Sequence, residues 1–578
     1  VLTLLAAAPA PAVCAEGPLQ TVTLQFRATH RYLNFPVRIG GVSHVGAISV
    51  DGETKRAFEV QLADGNPDWW APEDISIWRG KTVTLTLDRL PAGSQIPSLI
   101  DQSDAPRLSR DFHHEAFRPR FHYSAPYGFE LDVENSCFFE GWYHLFYCWS
   151  NLSNKQGSSI WGHAVSKDLA HWRDAAIAWP DQDMWSGSAI IDANNTSGLG
   201  RNGRPPMIFI YTRPGKAATS DARPGEQCLA YSDDGGRTVN AYPGNPIVHK
   251  LQDSFGPNGP NRDPKVFWYA PKHEWVMILY VAMPGGALLP DGKTDDQHNT
   301  FQFLTSPNLL QWKQTGCSIP GFAECPDFYE LPVDGNEANE KWVLYSAGGQ
   351  YRIGSFDGER FTPETPRLAN TRGIVYAGSS FSDLPPGDGR RIKMIWTTAP
   401  APTMPFNNHI SLPMAQTLRT TPAGLRLFSW PAREVDQLHT GAPFSMENQV
   451  LSEGEDPLAN LAREGVDIDL DIDLLKAAGL DLIVEGMPIH IDTARRLLTC
   501  KSKDSPYEYQ AELMPENGRL HLRVFSDKTS LEIYTGPVYI AVPNLAAPWS
   551  KPRLGLRALG GPVKINSLRI WSMQSIWD

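Results

Sequence analysis

Three acidic positions stand out by the company they keep. Asn261-Arg262-Asp263-Pro264-Lys265-Val266-Phe267-Trp268 sets a carboxylate between a guanidinium and a proline, and Ala323-Glu324-Cys325-Pro326-Asp327 follows about sixty residues later. Both open runs that read as strands, and Asp132 lies in a third such run upstream. Carboxylates carried into one polar pocket by separate strands suit glycoside hydrolysis, which needs two of them flanking the scissile bond. Taken singly, Arg262-Asp263 reads as an ordinary salt bridge and Glu324 as a solvated turn residue. The rest of the chain has to decide between these readings.

The elements available to position such acids are strands. The chain has 578 residues with 48 Gly, 48 Pro and 18 Trp but only 20% charged residues, a composition of turns and aromatic strands that implies an all-β protein of two to four domains. Residues 19–112 hold short period-two runs, among them Thr21-Val22-Thr23-Leu24-Gln25-Phe26 and Thr82-Val83-Thr84-Leu85-Thr86-Leu87, which predict a small N-terminal β domain. Trp69, Trp70 and Trp78 within it read as packing residues rather than a sugar platform. From 116 to 436 a loose repeat appears: Ser166-Lys167-Asp168-Leu169-Ala170-His171-Trp172 is echoed at Ser232-Asp233-Asp234-Gly235, at Ser306-Pro307-Asn308-Leu309-Leu310-Gln311-Trp312 and more faintly at Ser355-Phe356-Asp357-Gly358. Four strands per repeat describe propeller blades, whose innermost strands let acids distant in sequence meet. Beyond Trp430-Pro431 the repeat stops, and alternation such as Val466-Asp467-Ile468-Asp469-Leu470 over 441–578 predicts a C-terminal β-sandwich.

A net charge of −12 argues against nucleic acid or an anionic membrane as partner and is compatible with a neutral substrate. Residues 1–15 are apolar, rich in Ala and Pro, and end in Val13-Cys14-Ala15, which reads as part of a signal peptide and hence a secreted or periplasmic protein. No other apolar run reaches the roughly twenty residues that span a bilayer. Cys137 and Cys148 fall on adjacent strands of a hairpin turning at Glu140-Gly141, about 13 Å apart, beyond the ~7 Å reach of a disulfide. Mostly free, buried cysteines are expected. No CxxC or HExxH spacing occurs, so no metal site is expected.

In order and spacing, Arg118-Pro119-Arg120-Phe121-His122, Tyr143-His144-Leu145-Phe146-Tyr147, Trp161-Gly162-His163-Ala164-Val165-Ser166, Trp185-Ser186-Gly187-Ser188-Ala189, Arg262-Asp263-Pro264, Glu324-Cys325-Pro326 and Met404-Pro405-Phe406-Asn407 resemble glycoside hydrolase family 32, the invertases, levanases, inulinases and fructosyltransferases. The resemblance covers about residues 116 to 575 and implies a five-bladed β-propeller over 116–436 followed by the β-sandwich. It implies Asp132 as nucleophile, Glu324 as general acid/base with a raised pKa, and Asp263 as transition-state stabiliser oriented by Arg262. Trp185 and Ser186 would line the fructose pocket, with Trp396 as an apolar wall. No cofactor is implied, and the partner is a fructan or other oligo- or polysaccharide.

The sequence departs from the family at three substrate-facing places. The family's WMNDPNG falls on Phe129-Glu130-Leu131-Asp132-Val133-Glu134-Asn135, its QYNP on Cys148-Trp149-Ser150-Asn151, and Gln156 replaces a pocket tryptophan. In a regular strand Glu130, Asp132 and Glu134 point to one face, so three crowded carboxylates reshaping one part of the pocket are expected, with at least one pKa raised. The resemblance implies a secreted retaining β-fructosidase acting on levan, inulin or sucrose. A fructosyltransferase or dianhydride-forming enzyme and a non-catalytic fructan-binding protein are the alternatives.

Overall fold

Period-two patterning becomes mainly antiparallel sheet in the computed structural model, which describes residues 18–108, 112–175, 177–180, 184–213, 225–249, 251, 261–283, 299–385, 387–401, 403–502, 505–544 and 554–578. The leading stretch 1–15, with Cys14, lies outside the described residues. The chain divides into two compact units at about residue 109.

In the first unit, the strands Leu19–Arg27, Thr82–Pro91, Ser43–Val50 and Glu53–Gln61 form one sheet in that order, and Trp69–Asp74, Tyr32–Val37 and Asp101–Ser103 form a second. Their inward residues, Phe35, Ile48, Phe58, Val60, Val83 and Leu85 among them, are buried. Trp69 and Trp78 join this core, and Trp70 lies under the guanidinium of Arg107 at 4.4 Å.

The second unit carries the three acids. Successive sheets follow one another along the chain: a first built on Gly128–Val133, Cys137–Phe139, Trp142–Ser150 and Ile160–Ser166, a second from Trp185–Ile191 through Met207–Arg213 and Glu226–Ser232, and a third from Arg262–Tyr269 through Glu274–Ala282, Asn299–Ser306 and Lys313–Pro320. Strands Asp327–Val333 to Gln350–Phe356 and Val375–Ser380 with Arg391–Thr397 then share a ten-stranded sheet. Each repeat noted in the sequence makes the same turn: Asp168 accepts from the backbone N–H of Ala170 and His171, Asp234 from Arg237 and Thr238, Asn308 from Leu310 and Gln311, and Asp357 from Glu359 and Arg360.

The first strands of these sheets are tied to one another through buried polar groups. Ser188 donates to Pro264 O and accepts from Val266 N, at 2.8 and 2.9 Å. The fully buried Asp327 pairs with Lys265 at 2.8 Å and Lys393 at 3.3 Å and accepts from the Ser380 hydroxyl; Lys265 also donates to Asn135. Burial opposes the charge on Asp327, but the two ammonium groups outweigh it and hold its carboxyl well below the usual range.

From His439 onward, six strands, joined at the edge by Thr371–Gly373, form one sheet and five form another, and the two enclose an aliphatic core that includes Val466, Ile468, Leu480, Leu482, Ile489, Leu498, Leu531 and Ile570. Where they meet the preceding sheets, buried His122 stands between Asp527 at 2.9 Å and Glu532 at 3.2 Å. Burial disfavours its charge, yet Glu532 and Asp527 prevail and raise its pKa to about 9. The six described cysteines carry thiols, and five of them are buried.

Two expectations follow. Asp327→Ala strands two buried ammonium groups and should cost about 3 to 5 kcal/mol of unfolding free energy in urea titration. Because the folded pKa of His122 is raised, its stabilisation is complete below its unfolded value near ~6.5 and is lost as pH climbs through about 9. His122→Gln should therefore flatten the decline of stability over that window.

Candidate active site

The strand Gly128–Val133 does not keep its alternation. Tyr147 pairs with Val133 and Trp149 with Glu130, so two steps on one strand face three on the other, and Leu131 and Asp132 form a bulge. The bulge separates the acids that a regular strand would align. Glu130 turns into the interior, where it is fully buried, accepts from Ala125 N and feels Arg118. Asp132 projects the other way and accepts the Ser186 hydroxyl at 2.8 Å. Three carboxylates on one face are therefore not found.

Asp263 and Glu324 both hold left-handed backbone, with φ of +61° and +55°, and Cys325 continues it at +41°. Such conformations are uncommon and costly outside glycine, and here they coincide with the acids. Thr212 Oγ1 accepts from Asp263 N at 2.9 Å, which pins the turn. Cys325 joins two of the acids: its backbone N–H donates to Asp263 Oδ2 at 3.1 Å and its thiol lies 3.5 Å from Asp132 Oδ2. Arg262 reaches the third, with Nη2 2.7 Å from Glu324 Oε1 and Nε 3.6 Å from Asp263 Oδ2, its guanidinium lying 4.4 Å from the Tyr280 ring centroid. Tyr376 donates its hydroxyl to Glu324 Oε2.

This geometry distributes the proton differently from the sequence expectation. Burial lifts Glu324, but Arg262 and the Tyr376 hydrogen bond more than cancel it, so its pKa is lowered rather than raised. The raised acids are the other two. Burial and then the Glu324 charge push Asp132 to about 6, against the Ser186 hydrogen bond. Burial drives Asp263 to about 7, with Arg262 opposing and the charges of Glu324 and Asp132 assisting. Three carboxylates with one arginine thus retain a proton into the neutral range.

The remaining expected positions fall at different depths. Trp185 is half-buried and its carbonyl accepts from Trp161 Nε1. Ser186 sits in a second bulge, skipped between the pairs Trp185 with Thr212 and Gly187 with Tyr211. Trp396 is half-buried, edge-on to Phe129 at 6.4 Å, and lies beside Tyr376 in the adjoining strand. Glu134 and Cys148 are buried and touch each other, Sγ to Oε1 being 3.0 Å, so they form a layer behind the acids. Gln156 is exposed in the loop after Trp142–Ser150 and is absent from the described hydrogen bonds of the three acids. Tyr376, Tyr280 and Thr212 escaped the sequence reading because each is an ordinary strand residue that acquires a role only from its neighbours. Among the described residues, Asp436, His439 and Asp467 gather ligand atoms within 4.8 Å, but Arg523 pairs with both carboxylates.

An all-β scaffold that converges three strained or bulged carboxylates and one arginine has the constitution of a glycoside hydrolase. Residues 122–431 match the glycosyl hydrolases family 32 N-terminal domain, and the chain belongs to that family. It is 30% identical over 516 residues to a levanase of Bacillus subtilis (strain 168), covering 81% of this chain and 72% of that protein. A levanbiose-producing levanase of the same strain is 28% identical, over 80% of this chain and 92% of its own length. The crystal structure of exo-inulinase from Aspergillus awamori shares the fold, with a TM-score of 0.69 at 23% identity over 80% of this chain and all of that one.

The second bulge leaves no room for a side chain at Gly187, where an added Cβ would come within 2.0 Å of Ile210 O. Gly187→Ala is expected to cost about 1 to 3 kcal/mol in thermal or chemical denaturation and to disturb Ser186 with it.

Proposed function

We propose that the protein is a retaining β-fructosidase that removes terminal fructofuranosyl units from fructans such as levan or inulin, or from sucrose. The observation that carries this is the joining of Asp132, Asp263 and Glu324 into one cluster by Cys325 and Arg262. In this reading the successive sheets close as a five-bladed propeller over 116–436, followed by a sandwich over 441–578, with the acids at the mouth of the propeller axis. The levanase and exo-inulinase names of the relatives support the substrate class, and the word extracellular in several of those names supports export, as do the apolar residues 1–15.

Asp132 attacks C2 of the fructosyl unit while the C2–O bond breaks and the leaving oxygen takes a proton from Glu324. The Glu324 carboxylate then takes a proton from water, whose oxygen attacks C2 and frees Asp132. Asp263 binds ring hydroxyls as positive charge develops. In the unliganded site the proton belongs to the cluster rather than to Glu324, which Arg262 and Tyr376 keep ionised. Sugar hydroxyls donating to Asp263 favour its ionised form, and the glycosidic oxygen arriving at Glu324 gives the released proton its acceptor path.

The pH profile follows with a definite sign. Below about 6 the nucleophile Asp132 is protonated and kcat/KM falls; above about 7 the cluster loses the proton that the leaving group needs, and kcat/KM falls again. A bell with its top between these values is expected. Incubation with levan, inulin and sucrose separately, with products resolved by chromatography, should yield free fructose. Glu324→Gln and Asp132→Asn should each lower the rate by about 10² to 10⁴. Normal turnover by Asp132→Asn, or no product from any of the three sugars, would sink the reading.

A further inference from the structure

Behind Asp132 lies a buried acid with no part in the steps above. Glu134 is 1% exposed, too deep to touch a sugar. Its Oε2 accepts the backbone N–H of Gly187 at 2.6 Å, and its Oε1 faces the Cys148 thiol at 3.0 Å. Gly187 closes the bulge that leaves Ser186 out of the ladder, and Ser186 is the residue whose hydroxyl donates to Asp132. The Cys148 thiol sits 3.8 Å from that same hydroxyl and 3.8 Å from Met184 O. Glu134 is thus the side chain on which the Ser186 bulge hangs.

We propose that Glu134 is a positioning residue for the nucleophile: its carboxyl anchors Gly187 N–H so that the Ser186 hydroxyl stays aimed at Asp132. The proposal rests on the reading of Asp132 as nucleophile and deepens it. Burial, with the Asp132 and Asp263 charges nearby, pushes the Glu134 carboxyl well above the usual carboxylate range, against the Cys148 and Gly187 bonds. The other titratable groups facing Asp132 are Asp263, Glu324, Arg262, Cys148, Cys325 and Tyr376. Of these only Cys148 is bonded to Glu134, and Ser186→Ala, which leaves that bond untouched, provides the comparison for its part in any shift.

The test compares Glu134→Ala, Glu134→Gln and Ser186→Ala with wild type by two readouts: the acid limb of kcat/KM, and the titration of the Asp132 carboxyl followed by 13C NMR on aspartate-labelled protein, with Asp132→Asn assigning the resonance. Loss of one hydrogen bond to an ionised carboxylate should raise the Asp132 titration by about one pH unit in Glu134→Ala and in Ser186→Ala. The double variant should shift no further than either alone. Glu134→Gln keeps an acceptor for Gly187 N–H without a charge and should restore the wild-type position. A Glu134→Gln titration raised as far as that of Glu134→Ala would mean that the acceptor for Gly187 N–H does not matter, and an unmoved titration in a folded Glu134→Ala would mean that Glu134 only fills space; either result overturns the proposal. Should no sugar be cleaved, the NMR titration still decides the matter, so failure of the proposed activity and failure of this inference remain separate results.

Discussion

The structure of the second unit depends on one buried interaction, the Asp327 carboxylate held between the ammonium groups of Lys265 and Lys393. Removing three charges from water is expensive, and a well-packed apolar substitute at such a place is often at least as stable. What ions supply is registry. Lys265 also donates to Asn135, and Ser380 bonds Asp327, so segments from the first, the third and the ten-stranded sheet must meet in one arrangement for every buried charge to be matched. The acids inherit that precision. Asp132 lies three residues before Asn135, Asp263 two before Lys265, and Glu324 three before Asp327. Each acid is therefore the near end of a short segment whose far end is clamped at the common centre.

Over so short a reach, the direction of each side chain is set by local backbone rather than by strand alternation. Asp132 is turned by a bulge, while Asp263 and Glu324 are turned by left-handed residues. Both devices cost stability, of order 1 to 3 kcal/mol for each left-handed residue, and the clamped network bears that cost. The result is three carboxylates facing one arginine in a poorly solvated space. Its electrostatics follow from that count: the acid nearest the arginine and a tyrosine hydroxyl ionises first, and the other two hold on to protons until about 6 and about 7.

Much of this was legible in the residues, for reasons that differ from place to place. The Ser-x-Asp and Ser-x-Asn repeats were visible because Asp and Asn acceptors make the same turn after an apolar strand wherever they recur. Arg262-Asp263-Pro264 and Glu324-Cys325-Pro326 were visible because their neighbours are themselves unusual. The fate of Glu130 was not, since period two places it beside Asp132 and only the register against Tyr147 and Trp149 reveals the extra residue. The low pKa of Glu324 was hidden for a related reason: its causes are Arg262, sixty-two positions away, and Tyr376, fifty-two positions away and undistinguished in sequence.

The altered motif around Asp132 also takes on a different meaning in three dimensions. Glu134 and Cys148 read as two separate losses from a sugar-binding surface, yet they are a pair in contact, buried behind that surface and joined to the Gly187 bulge. A carboxyl and a thiol are each poor replacements for an amide that must meet a sugar, but together they satisfy one another without exposing either. Burial and the neighbouring Asp132 charge push the Glu134 carboxyl well above the usual carboxylate range, which is how a second acid is tolerated so close to the first. The departure therefore bears on how Asp132 is supported. It leaves Asp132, Asp263, Glu324 and Arg262 in a single connected site.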